Sequence, residues 1–183
     1  MLKRIDIENL LNLLNERLAN ENETRELVVC RGAALILNNY KKEETADIDI
    51  LSSDKDELLK RLSLEIAKKN LGLRSDWLNS NAASFFKRHN PLPVGWEKRL
   101  VQSFKASHLT VKSLSEEDML FSKICSHIDR EMDEADIKEL ARTKELFENT
   151  VRKIVKLKKF QDTASTLIIG ELRVRLGFDD DDQ

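Results

Sequence analysis

The segment Asp47-Ile48-Asp49-Ile50-Leu51 constrains this chain more than any other. It alternates polar and apolar residues as a half-buried strand does. Side chains two apart on a strand share a face, so Asp47 and Asp49 point one way and Ile48 and Ile50 the other. Two carboxylates on one face repel each other unless a cation or a proton lies between them. A hard divalent ion such as Mg2+ suits that position, because it takes carboxylate oxygens together with substrate phosphate. Upstream, the apolar run 27–30 reads as a buried strand, Gly32 follows at once, and residues 33–37 are apolar formers of a packed helix. A glycine at a strand-to-helix turn permits close backbone approach, and a helix start favours phosphate. A metal site and a phosphate site therefore face each other across one strand pair.

These residues resemble the nucleotidyltransferase superfamily, which is marked by a small-residue turn after the first strand and an Asp-x-Asp on the next. The pattern is similar to that of the bacterial branch containing abortive-infection and toxin–antitoxin nucleotidyltransferases, roughly Gly-Gly-x-Ala-Leu, a helix, then Asp-hydrophobic-Asp. Gly32, Ala34, Leu35, Asp47 and Asp49 match it. Arg31 stands where the first glycine is expected, and Glu43 and Glu44 occupy a turn where that branch commonly has a basic residue. Leu71-Gly72-Leu73 and Trp77-Leu78-Asn79 extend the likeness, and a second region follows in Lys123, Arg130, Asp133, Asp136, Ile137 and Leu140.

The resemblance implies an α+β fold: a small mixed β-sheet with flanking helices over residues 1–112, then a C-terminal helical bundle over 113–183, packed on the core and ending in an acidic tail at 179–183. It implies a nucleoside triphosphate as substrate and Mg2+ held by Asp47 and Asp49. The acceptor would be a hydroxyl or phosphate of an RNA, a protein or a small molecule. Lys123 would neutralise the triphosphate. Gly32, Arg31 and Ala33 would form the phosphate turn, Arg130 would assist nucleotide binding, and the base would stack near Trp77 or Phe85. A cognate antitoxin or other protein partner belongs to the same implication. Each residue also has a structural reading. Trp77 serves either as core packing or as part of a base-binding wall. Arg130 with Asp133 or Asp136 serves either the nucleotide or an ion-pair clamp between two helices. Many relatives carry a third carboxylate on a strand near the Asp-x-Asp, but residues 105–112 contain no Asp or Glu. His108 is the candidate ligand there, with a hydrogen-bonded structural histidine as the alternative. Two functional classes follow: an active transferase, or a binding module in which Arg31 fills the phosphate space and pairs with Asp47 or Asp49.

The remainder of the chain reads as helix-rich. Apolar residues make up 40% of the 183, enough for a core, and charged residues 35%, above the usual ~25%. A net charge of −2 excludes a global electrostatic footprint for nucleic acid. Cys30 and Cys125 lie in apolar contexts and read as buried thiols. No signal peptide or spanning run is visible, which predicts no membrane association and a cytoplasmic protein. Helical spacing predicts helices over 5–20 with Asp6 as cap, 54–70 capped by Ser53 or Asp54, a short one near 74–90 holding Trp77, Leu78, Ala82 and Phe85, then 115–130, 134–149 and 150–177, the last broken near 160–162. His89 and Pro91 fall in a loop, an extended segment runs through Trp96, and two sheet segments cover 99–104 and 107–111. The basic run Arg152, Lys153, Lys156, Lys158 and Lys159 reads as the solvated face of an amphipathic helix rather than an RNA site.

Overall fold

A computed structural model describes residues 1–40, 44–51, 56–88 and 92–179. The chain forms two compact units, Met1–Pro91 with Gly95–Ser115, and Leu92–Val94 with Glu116–Gln183. The first holds α1 (Arg4–Asn20), β1 (Arg25–Cys30), α2 (Arg31–Leu37), β2 (Ile48–Ile50), α3 (Glu57–Lys69), β3 (Leu78–Asn79), α4 (Asn81–Arg88), β4 (Val101–Lys105) and β5 (Leu109–Ser113). The second holds α5 (Glu116–Arg130), α6 (Glu134–Leu140), α7 (Lys144–Ile154) and α8 (Thr163–Arg175). This is the α+β class the sequence predicts, with a mixed sheet followed by helices.

The sheet order is β3-β2-β1-β5-β4. β1 lies at its centre, parallel to β5 and antiparallel to β2, while β2 runs parallel to β3 and β4 antiparallel to β5. Leu27, Val29 and Cys30 on β1 are all buried, as a near-continuous apolar run demands of a central strand. On α1, the stripe Ile7, Leu10, Leu11, Leu14 and Leu18 is buried throughout and packs against α3 and β5. Removing five such side chains from water stabilises the unit by roughly 10 kcal/mol as an upper figure. α2 is tied at its far end by a closed ring of hydrogen bonds. The Asn38 amide donates to Ser113 Oγ at 2.7 Å, and Ser103 Oγ reaches both Asn38 Oδ1 at 3.0 Å and Ser113 Oγ at 2.9 Å.

Several element boundaries differ from the sequence reading. Asp6 is the third residue of α1 and accepts from the Lys3 N–H at 2.9 Å, so it caps from inside the helix. Trp77 and Leu78 do not belong to a helix. Leu78–Asn79 pairs with β2, and α4 begins only at Asn81, whose N–H is taken by Asn79 Oδ1 at 3.0 Å. Tertiary pairing overrides a segment too short to show its own period. Phe86 enters the core with Ala82, while Phe85 is half-buried. Trp96 starts a 3-10 turn, Trp96–Arg99, after the left-handed Gly95, rather than continuing an extended run. The helix expected over 134–149 is two helices, parted where Thr143 caps α7 by accepting from the Leu146 N–H at 3.2 Å. Asp162 caps α8 through the Ser165 N–H at 2.9 Å, close to the expected break. Ser53, Asp54, Glu43, His89, Pro91 and Asp180 to Asp182 lie outside the described residues.

Asp56 caps α3. It accepts from the Leu59 N–H at 3.0 Å and from Arg25 Nε at 2.7 Å, joining the start of the helix to the start of β1. Burial alone would raise its carboxyl, but the Leu59 N–H, the Arg25 guanidinium and the Leu58 N–H outweigh that and hold it below the ordinary value. Because the folded group titrates below the unfolded one, its contribution is complete above about pH 4 and is lost as the pH falls further. Asp56→Ala should cost about 1 kcal/mol at pH 7, and the difference from wild type should shrink toward pH 3, measured by denaturant unfolding at both pH values.

Candidate active site

The site is built where β1 ends and the chain turns into α2. Arg31, the first residue of α2, has φ 57°, a left-handed conformation that a non-glycine residue rarely takes. Gly32 is next. A Cβ added there would meet Thr45 Oγ1 at 2.5 Å and Thr45 Cβ at 3.0 Å. The missing side chain thus admits Thr45, two residues before Asp47. Thr45 is held in turn by paired backbone bonds to Leu2, at 2.6 and 2.9 Å. The space over the glycine is occupied by this packing, a use that the phosphate-turn expectation did not contain.

β2 is one residue shorter at its start than expected, so Asp47 precedes the ladder while Asp49 lies within it. Asp49 is opposed by Cys30 on β1 and by Asn79 on β3. It is 8% exposed. Arg31 Nη1 lies 3.5 Å from Asp49 Oδ2, and the Arg31 guanidinium sits over the Phe85 ring at 5.3 Å from its centroid. The charge of the turn is thereby directed at the carboxylate and stacked on an aromatic face. Asp47 is half-buried, and its Oδ2 accepts from Asn79 Nδ2 at 3.2 Å. Nearby, Arg74 is paired with Asp76 at 2.6 Å, and its guanidinium is raised by Asp76 foremost and by Asp47 in addition.

Arg31, Gly32, Asp47 and Asp49 are therefore brought together in the first unit. Trp77 is in that unit but wholly buried, with its indole N–H donating to the Ser63 carbonyl at 3.0 Å, so its ring offers no wall to a base. Its role is the core packing that the sequence allows. The Ala33 methyl is likewise buried, which leaves only backbone for a ligand to meet. His108 Nδ1–H donates to the Glu23 carbonyl, 3.0 Å away, where Arg25 begins β1. Asp49 pairs with Cys30 at the other end of that strand. Five steps at about 3.3 Å put the two ends roughly 17 Å apart, so His108 is a structural histidine and not a ligand of this carboxylate pair.

Lys123 and Arg130 belong to the second unit. Lys123 Nζ contacts Asp133 Oδ1 at 2.8 Å and Asp136 Oδ2 at 2.6 Å, and Arg130 Nη2 lies 3.7 Å from Asp133 Oδ2. The ammonium joins α5 to α6 between two carboxylates, which is the helix clamp, with Lys123 rather than Arg130 as its principal cation. The basic run is also engaged: Lys159 pairs with Asp129 at 2.7 Å and Lys153 with Glu117.

Asn79 is a site residue that sequence reasoning missed. It stood in the Trp-Leu-Asn match, but a two-residue strand has no periodicity to show that it pairs with β2. It also lines a cavity of about 370 Å³ with Ile50, Leu59, Ser63, Leu78 and Ser80, within the range of small-ligand pockets. Among the described residues no cluster of three or more His, Cys, Asp or Glu exists. Two carboxylates nonetheless meet the needs of Mg2+, which keeps several waters and takes its other oxygens from substrate phosphate. The donor chemistry of Asp47 and Asp49 fits such an ion.

A mixed sheet, a small-residue turn and acids on the adjoining strand define a nucleotidyltransferase-like core. Residues 5–176 match the family described as "Nucleotidyltransferase of unknown function (DUF6036)", and the chain belongs to that family. The description names no branch, substrate, acceptor or partner. No curated protein and no solved structure matches the chain. Among the described residues no helix is long and apolar enough to cross a membrane.

If Gly32 serves close packing, Gly32→Ala should destabilise the fold by about 1–3 kcal/mol through overpacking, and Thr45→Ala should relieve part of that cost. A double-mutant cycle by chemical denaturation measures the coupling.

Proposed function

We propose that the protein transfers a nucleotide from a nucleoside triphosphate, with Mg2+, to a hydroxyl or phosphate of an RNA, protein or small-molecule acceptor. The observation that carries this reading is the pairing of Asp49 with Cys30 at the end of β1, which sets a carboxylate beside the Arg31-Gly32 turn. When bound, Mg2+ would offset charge on the triphosphate and help to orient an in-line attack. Asp47 and Asp49 would hold it. In the transfer to a hydroxyl, the acceptor oxygen bonds to the α-phosphorus, the α–β bridging oxygen leaves with pyrophosphate, and the hydroxyl proton passes to a carboxylate of the pair or to water. With Trp77 in the core, the cavity beside Asn79, which Asp56, Lys60 and Asp76 also line, is a candidate space for a base or a small acceptor. Its Ile50, Leu59 and Leu78 suit a flat apolar face, and its Ser63, Asn79 and Ser80 suit a polar edge.

A second reading rests on the Arg31–Asp49 contact. If that pair stays closed, the protein keeps the fold as a nucleotide- or partner-binding module without chemistry. Calorimetry with each triphosphate, with and without Mg2+, measures binding, and release of pyrophosphate separates transfer from binding without chemistry. The transferase reading expects Mg2+-dependent binding that Asp47→Ala or Asp49→Ala removes, and a fall in transfer of roughly a hundredfold or more, the scale on which loss of one charge-stabilising group acts. Full activity in a folded Asp49→Ala variant would end it.

A further inference from the structure

We infer that Asn79 is a positioning residue for the cation: its side-chain amide sets the direction of the Asp47 carboxylate and ties that acid to the start of α4. The inference rests on the transferase reading above and concerns how one member of its acid pair is held.

The two acids are held differently. Asp49 lies in the ladder, opposed by Cys30 on β1 and by Asn79 on β3. Asp47 precedes β2, so its carboxylate depends on side-chain contacts for its direction. Register places Asn79 to make one. A residue opposed to Asp49 shares its face of the sheet, and Asp47 lies two residues along on that face. The contact is present: Asn79 Nδ2 donates to Asp47 Oδ2 at 3.2 Å.

The amide has one favourable orientation. Its Oδ1 accepts from the Asn81 N–H at 3.0 Å, and its Nδ2 donates to Asp47 and to the Asp76 carbonyl, the latter at 3.3 Å. Turned over, its NH2 would face the Asn81 N–H and its oxygen would face two other oxygens, so each contact would become repulsive. Asn79 therefore presents hydrogens to Asp47. Holding one carboxylate oxygen limits where the other can point, which is how a neighbouring group orients a metal ligand. The amide oxygen secures the first N–H of α4, the helix that carries Phe85, and the Arg31 guanidinium sits over that ring at 5.3 Å from its centroid. One side chain thus joins the acid that would hold the cation to the helix on which the arginine of the turn rests.

Mn2+ tests this without knowledge of the nucleotide. Its binding to the full chain is followed by electron paramagnetic resonance, through loss of the free-ion signal, and each variant is melted without metal. Asn79→Ser keeps a side-chain oxygen for the Asn81 N–H but is too short to reach Asp47. It should melt as wild type does and bind Mn2+ about tenfold more weakly, the scale on which groups that orient a metal ligand act. Asn79→Ala also loses the cap, and should show the same weakening together with a lower melting temperature. On an Asp47→Ala background, the residual affinity set by Asp49 should be unchanged by Asn79→Ser. Wild-type Mn2+ affinity in folded Asn79→Ser, or the same tenfold loss without Asp47, would overturn the role given to Asn79 while leaving Mg2+-dependent transfer intact. A melting temperature as low in Asn79→Ser as in Asn79→Ala would assign Asn79 to the fold alone and overturn that role as well. No Mn2+ on folded wild type would overturn the transferase reading itself, and this inference with it.

Discussion

The antiparallel pairing of β2 with β1 is the constraint on which the site depends. Val29 opposes Ile50 and Cys30 opposes Asp49, so the last residue of the central strand lies beside a carboxylate. A slip of one residue would turn Asp49 to the other face and bring Ile48 or Ile50 out of the core. Both isoleucines are buried, and the apolar face therefore fixes where the carboxylate goes. Hydrophobic burial here does electrostatic work: it obliges Asp49 to remain in a position that it would leave if only charge mattered. Arg31, at the next residue after Cys30, is then within reach.

Around that pairing the molecule spends its polar groups on orientation. The Asn38, Ser103 and Ser113 ring secures the end of α2, Thr45 fills the space over Gly32, and Asn79 holds Asp47. None of these contacts is large, since a net hydrogen bond is worth about 1 kcal/mol. Their value lies in geometry, because each fixes the direction of a side chain or chain end around the two carboxylates. The second unit solves a separate problem. Lys123 lies between Asp133 and Asp136 and pins α6 to α5 across a loop with two left-handed residues, Glu131 and Asp133. Breaking such a cluster by removing one member is expected to be far more costly than the cluster is stabilising.

Much of the fold was legible because its signals are periodic. The α1 stripe, the apolar run of β1 and the alternation around Asp47 each repeat over enough residues to be read without a partner. Failures occurred where elements are short. β3 has two residues, and its existence depends on β2 lying next to it. The break between α6 and α7 is marked only by Thr143, one cap among several polar residues. Within the site, the residues Asp47, Asp49, Gly32 and Arg31 could be named in advance, as could the chance that Arg31 meets one of the acids. Asn79 and Thr45 could not, because their roles are contacts over 32 and 13 residues of chain.

The sequence by itself determined the chemistry available: two acids one residue apart, an arginine and a glycine at a turn, and the apolar pattern that makes strands of their surroundings. These are local properties, set by side-chain type and spacing. Tertiary structure alone decided how that chemistry is assigned. It sent Trp77 to the core with its N–H on Ser63, put His108 at the far end of β1 from Asp49, committed Lys123 to two aspartates, and chose Asp49 over Asp47 as the partner of Arg31. Such assignments depend on which distant segments the shared burial of apolar faces brings together, and no local pattern encodes that.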